Sequence, residues 1–263
     1  MKQRIITGAV AAAFFVPIVL YGGLIFNILI YAMATIGLFE LLRMKGIKLV
    51  SPAGLISLLL LYLLLLPSSI SNDLLNATGH SKLEWLFVAA FVLLIYTVLV
   101  KNHFTFDDAA FTLFATLYVG IGFYYFIETR SIGLTYVIFA LLVVWTTDSG
   151  AYFTGRRFGK RKLWPEISPN KTIEGFAGGI VWALITAFII QWISPFSSSY
   201  LVLIGITIAA SIFGQLGDLV ESAIKRHYNV KDSGKLLPGH GGILDRFDSL
   251  LFVIPLLHFL HFV

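Results

Sequence analysis

Apolar residues in this chain come in repeated blocks of about 20, the length a helix needs to cross ~30 Å of hydrocarbon at ~1.5 Å rise per residue. Reading the blocks between polar breaks gives nine candidate spans, near 5–21, 23–42, 50–70, 84–100, 109–127, 132–153, 174–194, 199–224 and 243–262. In lipid a backbone must satisfy its own hydrogen bonds, and unbroken apolar runs of this length do so as helices. The expected fold class is therefore an all-α integral membrane protein of about nine transmembrane helices. It forms a single transmembrane domain over residues 1–263, because the longest polar stretches (about 154–173 and 225–242) are too short to bury a core of their own. Composition agrees: 58% of residues are hydrophobic and 13% charged, against about 25% charged in soluble domains. The first block follows Lys2 and Arg4 as a signal peptide would, but no small-residue cleavage site separates it from the next apolar run, so it is kept as a span.

The net charge of +5 is distributed unevenly. With the N-terminus on the cytoplasmic side, seventeen of the nineteen Lys and Arg fall on inside segments, and only Lys82 and Arg130 fall outside. That bias follows the positive-inside rule and supports an odd number of spans, with the C-terminus outside. Cations gathered beside spans speak for a membrane surface and anionic substrates rather than nucleic acid. The absence of cysteine removes disulfides, thiolate nucleophiles and cysteine zinc sites. Any chemistry must use oxygen and nitrogen groups.

Charges placed inside apolar blocks are costly and mark function by default. Asp148 ends the sixth block, and Asp218 and Glu221 lie in the eighth. Ser211, Gln215, Asp218 and Ser222 share one face of the eighth helix, a polar stripe running toward Lys225 and Arg226. Such a stripe lines a polar cavity open to the cytoplasm, or else forms a buried helix–helix hydrogen-bond network. Gly175 and Gly179 in the seventh block form a GxxxG pair, whose ordinary use is close helix packing.

At the start of the ninth block Asp245 and Asp248 share a face. Two carboxylates so close repel unless a cation lies between them, and hard oxygen ligands suit Mg²⁺, which takes one or two carboxylates plus substrate phosphates. Capping of a helix N-terminus is the other use of such acids. Between the eighth and ninth blocks, Lys225, Arg226, Lys231 and Lys235 precede Pro238-Gly239-His240-Gly241-Gly242. Cations followed by a glycine-rich turn ahead of a helix suit a polyphosphate, although cations beside a span also set topology. The earlier segment Gly155-Arg156-Arg157-Phe158-Gly159-Lys160 is one residue short of a P-loop, and Arg161 stands where Ser or Thr is required, which rejects a P-loop NTPase. Ser168, Lys171 and Thr172 can donate to a phosphate with Glu174 orienting them, or can simply start the seventh helix. With no second His near it, His240 is a phosphate donor rather than a zinc ligand, and His258 and His261 suit an interfacial location.

The run Ser222-Ala-Ile-Lys225-Arg226, four residues, Lys231-Asp232-Ser-Gly234, then Leu237-Pro238-Gly-His240-Gly241-Gly242-Ile243-Leu-Asp245-Arg246-Phe247-Asp248 resembles the signature of the phosphatidate cytidylyltransferase (CDP-diacylglycerol synthase) family without departure. The segments Asp148–Tyr152 and Ser168–Thr172 are also similar to the family, so the matching region lies mainly within 145–250. The resemblance implies a Mg²⁺-dependent membrane enzyme, with a second cation as an option. It would convert CTP and phosphatidic acid into CDP-diacylglycerol and pyrophosphate in the bilayer, an inner-membrane-type location with the active site facing the cytoplasm, and a homodimer is compatible with it. On that reading Asp218, Asp245 and Asp248 bind metal, and Lys225, Arg226, Lys231 and His240 hold the triphosphate or leaving group. Ser168, Lys171, Thr172, Glu221 and Arg246 contact substrate. A CTP-dependent polyprenol or phytol kinase is the enzymatic alternative. A transporter, with Asp148, Asp218 and Glu221 as an ion pathway, is the alternative from another class, against which the clustering of acids toward one face speaks.

Overall fold

The computed structural model describes residues 2–263; Met1 and the side chains of Lys2, Arg4 and Ile5 lie outside the described residues, and with them the two N-terminal cations used above for orientation. Helices make up nearly all of the regular structure. In chain order they are α1 (Lys2–Tyr21), α2 (Gly23–Lys45), α3 (Pro52–Leu65), α4 (Ser68–Thr78), α5 (Lys82–Leu99), α6 (Phe106–Ile132) and α7 (Leu134–Phe158). A short hairpin, β1 (Lys162–Trp164) and β2 (Ser168–Thr172), then precedes α8 (Ile173–Ile193), α9 (Tyr200–His227), α10 (Leu244–Phe247) and α11 (Leu250–Phe259).

The protein is an all-α membrane protein by this architecture, but fewer helices meet the spanning criterion than nine. Six are long and apolar enough among the described residues: α2, α5, α6, α7, α8 and α9. The third expected span, 50–70, stops at Leu65, because Pro67 cannot continue the helix, and α4 leaves at 109° to α3. Counting that bent pair as one span gives seven. The expected ninth span is divided: α10 ends at Phe247, and α11 restarts at Leu250 with only ten residues. The apolar part of α1, Ile6–Tyr21, is likewise short. Large apolar side chains on α5, among them Phe87, Phe91, Val98 and Leu99, face outward uncovered, as expected where the solvent is lipid.

Two compact units are interleaved along the sequence. The first comprises residues 1–128 and 232–244. Its core holds Phe26, Ile30, Leu38, Leu41, Leu60, Leu61 and Phe123, all buried, with Phe26 edge-on to Phe126. Local chemistry sets its helix ends: Ser51 caps α3 by accepting from the Gly54 N–H at 3.2 Å with Pro52 behind it, and Ser81 and Glu84 form a capping box on α5. Lys82 donates to the terminal carbonyls of Leu64 and Leu66, closing the C-terminus of α3.

Residues 129–231 and 245–263 form the second unit. Here α7 and α8 lie closest together. A Cβ on Gly178 would run into the Thr154 side chain, and one on Gly179 would stand 2.9 Å from the Thr147 carbonyl oxygen. The small-residue face of α8 is thus a packing device, as its GxxxG spacing implies. Buried Val137, Phe139, Ala140, Val143, Ala183, Leu203, Ala210, Val253 and Leu257 complete the core of this unit.

Candidate active site

The second unit holds a cavity of about 730 Å³, within the ~300–1,000 Å³ usual for small-molecule sites. The C-terminal part of α7 contributes Asp148, Tyr152 and Arg156, and the following segment and hairpin contribute Lys160, Lys162 and Asn170. Lys171 and Thr172 enter from the end of β2, just ahead of α8, Gln215, Asp218 and Lys225 along α9, and Asp245, Arg246 and Asp248 from the chain around α10. Six basic and four acidic side chains therefore share one lining.

The α9 polar stripe divides between a buried hydrogen-bond network and the lining of the cavity. Ser211 and Gln215 are buried, the first accepting from Thr147 Oγ1 at 3.0 Å and the second donating to the Phe176 carbonyl at 3.2 Å. That part is a helix–helix network. One turn further on, Asp218 faces the cavity, receives Lys171 Nζ at 2.6 Å, and accepts from the Ser222 hydroxyl at 3.3 Å. Gly217 makes the geometry possible, since a Cβ there would lie 2.7 Å from the Asp248 carbonyl oxygen. The missing side chain lets the Asp248 segment come against α9, and Asp148, Asp218 and Asp248 end within electrostatic reach of one another. Arg246 and Lys171 partly neutralise Asp148.

Lys225 is placed differently from expectation. Its ammonium is shared between Glu221, one turn back on α9, and Asp245 Oδ1 at 2.6 Å, and the carboxylates of both acids are almost wholly covered (1% and 4% exposed). It is the cation of an acid–base–acid triad rather than an uncommitted phosphate ligand. Arg226 points to the hairpin, donating from Nε to the Ile167 carbonyl at 3.4 Å. Lys231 is exposed and does not border the cavity, nor do Ser168 and Glu221. His240 belongs to the first unit, where its ring lies against Gly8. Thr172 borders the cavity, but its hydroxyl oxygen caps α8 by accepting from the Gly175 N–H at 3.1 Å. Glu174 accepts from the backbone N–H groups of Lys160 and Arg161 at 3.0 and 3.2 Å, which fixes the entry to the hairpin.

The cations that border the cavity without an ion pair among the described residues are Arg246 and, from the segment around Gly159, Arg156, Lys160 and Lys162. The failed P-loop comparison passed over the last three, although a cluster of five cations around Gly159 next to a span was itself the signal. Glu40, one of the most deeply buried acids of the chain, was also missed. No polar stripe surrounds it in α2, so periodicity did not single it out.

A helical membrane protein that gathers acids and bases around one small-molecule cavity at the ends of its helices is built to handle polyanions. The sequence profile described as the cytidylyltransferase family matches residues 2–263, and the chain belongs to that family. The chain is 61% identical over 263 residues to the Bacillus subtilis (strain 168) protein named phosphatidate cytidylyltransferase, covering 99% of this chain and 97% of that one. Proteins of the same name from Staphylococcus haemolyticus and Staphylococcus aureus (strain COL) are 53% and 52% identical over 260 residues, with 99% of this chain and 98% of each relative covered.

Proposed function

We infer that this protein transfers the cytidylyl group of CTP to phosphatidic acid, giving CDP-diacylglycerol and pyrophosphate for phospholipid synthesis. The observation that carries this reading is full-length similarity, at 61% identity, to a relative of that name. The cavity supports it chemically. A phosphate oxygen of the lipid attacks the α-phosphorus of CTP, a new P–O bond forms, and the bond from the α-phosphorus to the bridging oxygen of the β-phosphate breaks. An ionised phosphate needs no general base, so catalysis consists of alignment and charge stabilisation. Arg156, Lys160, Lys162 and Arg246 border the cavity and would take the phosphates, and Lys171, already on Asp218, would add a further cation.

A metal site of Asp218, Asp245 and Asp248 is part of the same proposal. No group of three acids or histidines converges on a single point among the described residues. One or two carboxylates completed by substrate phosphates is nevertheless the usual Mg²⁺ arrangement. Asp218 and Asp248, close enough to repel, suit it, while Asp245 is engaged by Lys225. When bound, Mg²⁺ or a second cation would neutralise phosphate oxygens in the transition state.

The decisive assay uses the purified protein in detergent with Mg²⁺, phosphatidic acid and CTP labelled separately in the base and the γ-phosphate. Base label alone should enter the lipid. Entry of γ label, with a polyprenol or phytol preferred, would assign the kinase reaction instead. We further propose an inner-membrane-type location with the hairpin and the 225–242 segment toward the cytoplasm, on the positive-inside bias. The cysteine-free chain allows single-cysteine labelling, in which Asn229→Cys should react from the cytoplasm and Ser198→Cys from outside. The reverse pattern would invert the topology.

A further inference from the structure

Glu40 lies on α2 in an apolar helix and is 2% exposed, a placement that costs several kcal/mol unless the carboxylate is fully engaged. Three hydrogen-bond donors to it come from the 232–244 segment of the same unit. Oε2 accepts from the Ser233 hydroxyl at 2.9 Å and from the Leu244 N–H at 3.0 Å, while Oε1 accepts from the Ile243 N–H at 2.9 Å. Gly234 and Gly242 press against the carboxylate so closely that a Cβ on either would collide with Oε1. One turn along α2, Arg43 donates to the Ser233 carbonyl at 3.0 Å. The two ends of the loop, 233–234 and 242–244, are thus pinned to one buried anion. Charge-assisted hydrogen bonds of this kind are about twice as strong as neutral ones.

We propose that Glu40 is a positioning residue for the transfer reaction: it clamps the 232–244 loop closed and fixes the first peptide of α10, so that Asp245, the next residue, is presented in one place. The inference rests on the assignment of Asp245 to the reactive site. Because the backbone N–H groups of Ile243 and Leu244 are the donors, no side-chain change in the loop can substitute for the carboxylate. Its two oxygens serve both ends of the loop, which explains why glycine stands at the two positions beside it. Glu40 acts through this loop, so its effect is on geometry.

The test compares Glu40→Gln, Glu40→Asp, Ser233→Ala and Asp245→Asn in the full-length protein in detergent. Three quantities are measured on each: kcat and KM, the melting temperature, and the rate of trypsin cleavage after exposed Lys235 relative to cleavage after Arg157. Gln keeps the shape but turns an amide donor toward one of the backbone N–H groups. Glu40→Gln should lower kcat at least 30-fold with KM for both substrates changed less than 3-fold, and should raise cleavage at Lys235 at least 10-fold. Ser233→Ala, which removes the hydroxyl bond to Glu40, should raise cleavage by about 3-fold and lower kcat by a similar factor; it carries the test if Glu40→Gln fails to accumulate. Glu40→Asp, which keeps the charge, should recover part of the kcat lost in Glu40→Gln. Wild-type kcat and cleavage in Glu40→Gln would overturn the proposal, as would a fall in kcat with no change at Lys235. Full activity in Asp245→Asn would instead overturn the site assignment on which it rests.

Discussion

Replacing Lys225 with Met removes the only positive member of a buried triad while keeping the length and apolar stem of the side chain. Glu221 is 1% exposed, and apart from Lys225 neither of its carboxylate oxygens has a hydrogen-bond partner among the described residues. Asp245 loses the ammonium that stands 2.6 Å from its Oδ1. Breaking a buried pair by removing one partner typically costs ~3–5 kcal/mol, because the partner stays behind as an uncompensated charge. At ~2 °C per kcal/mol for a chain of this size, the melting temperature should fall by about 6–10 °C. The cost resides mainly on Glu221, so Lys225→Met combined with Glu221→Gln should recover more than half of the loss. Glu221→Gln alone should cost about 1 kcal/mol or less, since Lys225 keeps Asp245. Melting of the four proteins in one detergent, followed by tryptophan fluorescence, completes the cycle. If Lys225→Met melted with the wild type, or if the double variant were no more stable than the single one, the triad would not be a buried ionic unit and Lys225 would be free to serve phosphate directly.

Asp218→Asn and Asp248→Asn should each lower turnover at least 100-fold, about 3 kcal/mol of transition-state stabilisation, and shift the Mg²⁺ titration of activity upward; normal Mg²⁺ dependence in Asp248→Asn would remove that residue from the site. Lys160→Ala and Lys162→Ala should each raise KM for CTP by about 10-fold, or ~1.4 kcal/mol, whereas Lys231→Ala, away from the cavity, should change it less than 2-fold. Gly178→Leu should destabilise the protein by about 1–3 kcal/mol in a melting experiment, because the Thr154 side chain occupies the space the new side chain needs.

What the sequence made legible follows from which forces act over short stretches of chain. Helix positions were readable because lipid imposes one rule on every residue of a span, and α2, α7, α8 and α9 fall within a few residues of the expected blocks. Breaks were less so: hydropathy averages over a window and registers neither the turn that Pro67 imposes nor the interruption between Phe247 and Leu250. Of the acids of the cavity, Asp148 and Asp218 stood out because a charge inside an apolar block is expensive, and Asp245 and Asp248 because two acids three residues apart share a helix face. Their pairing was not readable. Whether a cation such as Lys225 meets a phosphate or a carboxylate depends on which helix faces it, and its actual partners come from four residues before it in sequence and twenty residues after. Glu40 shows the same limit at its furthest extent. Its donors lie about two hundred residues downstream, two of them are backbone N–H groups that carry no sequence signature, and only the glycines at 234 and 242 record in the sequence that something must approach closely there. A loop that reads as a phosphate-binding turn from its cations and glycines is held by an anion, and the glycines make room for that anion.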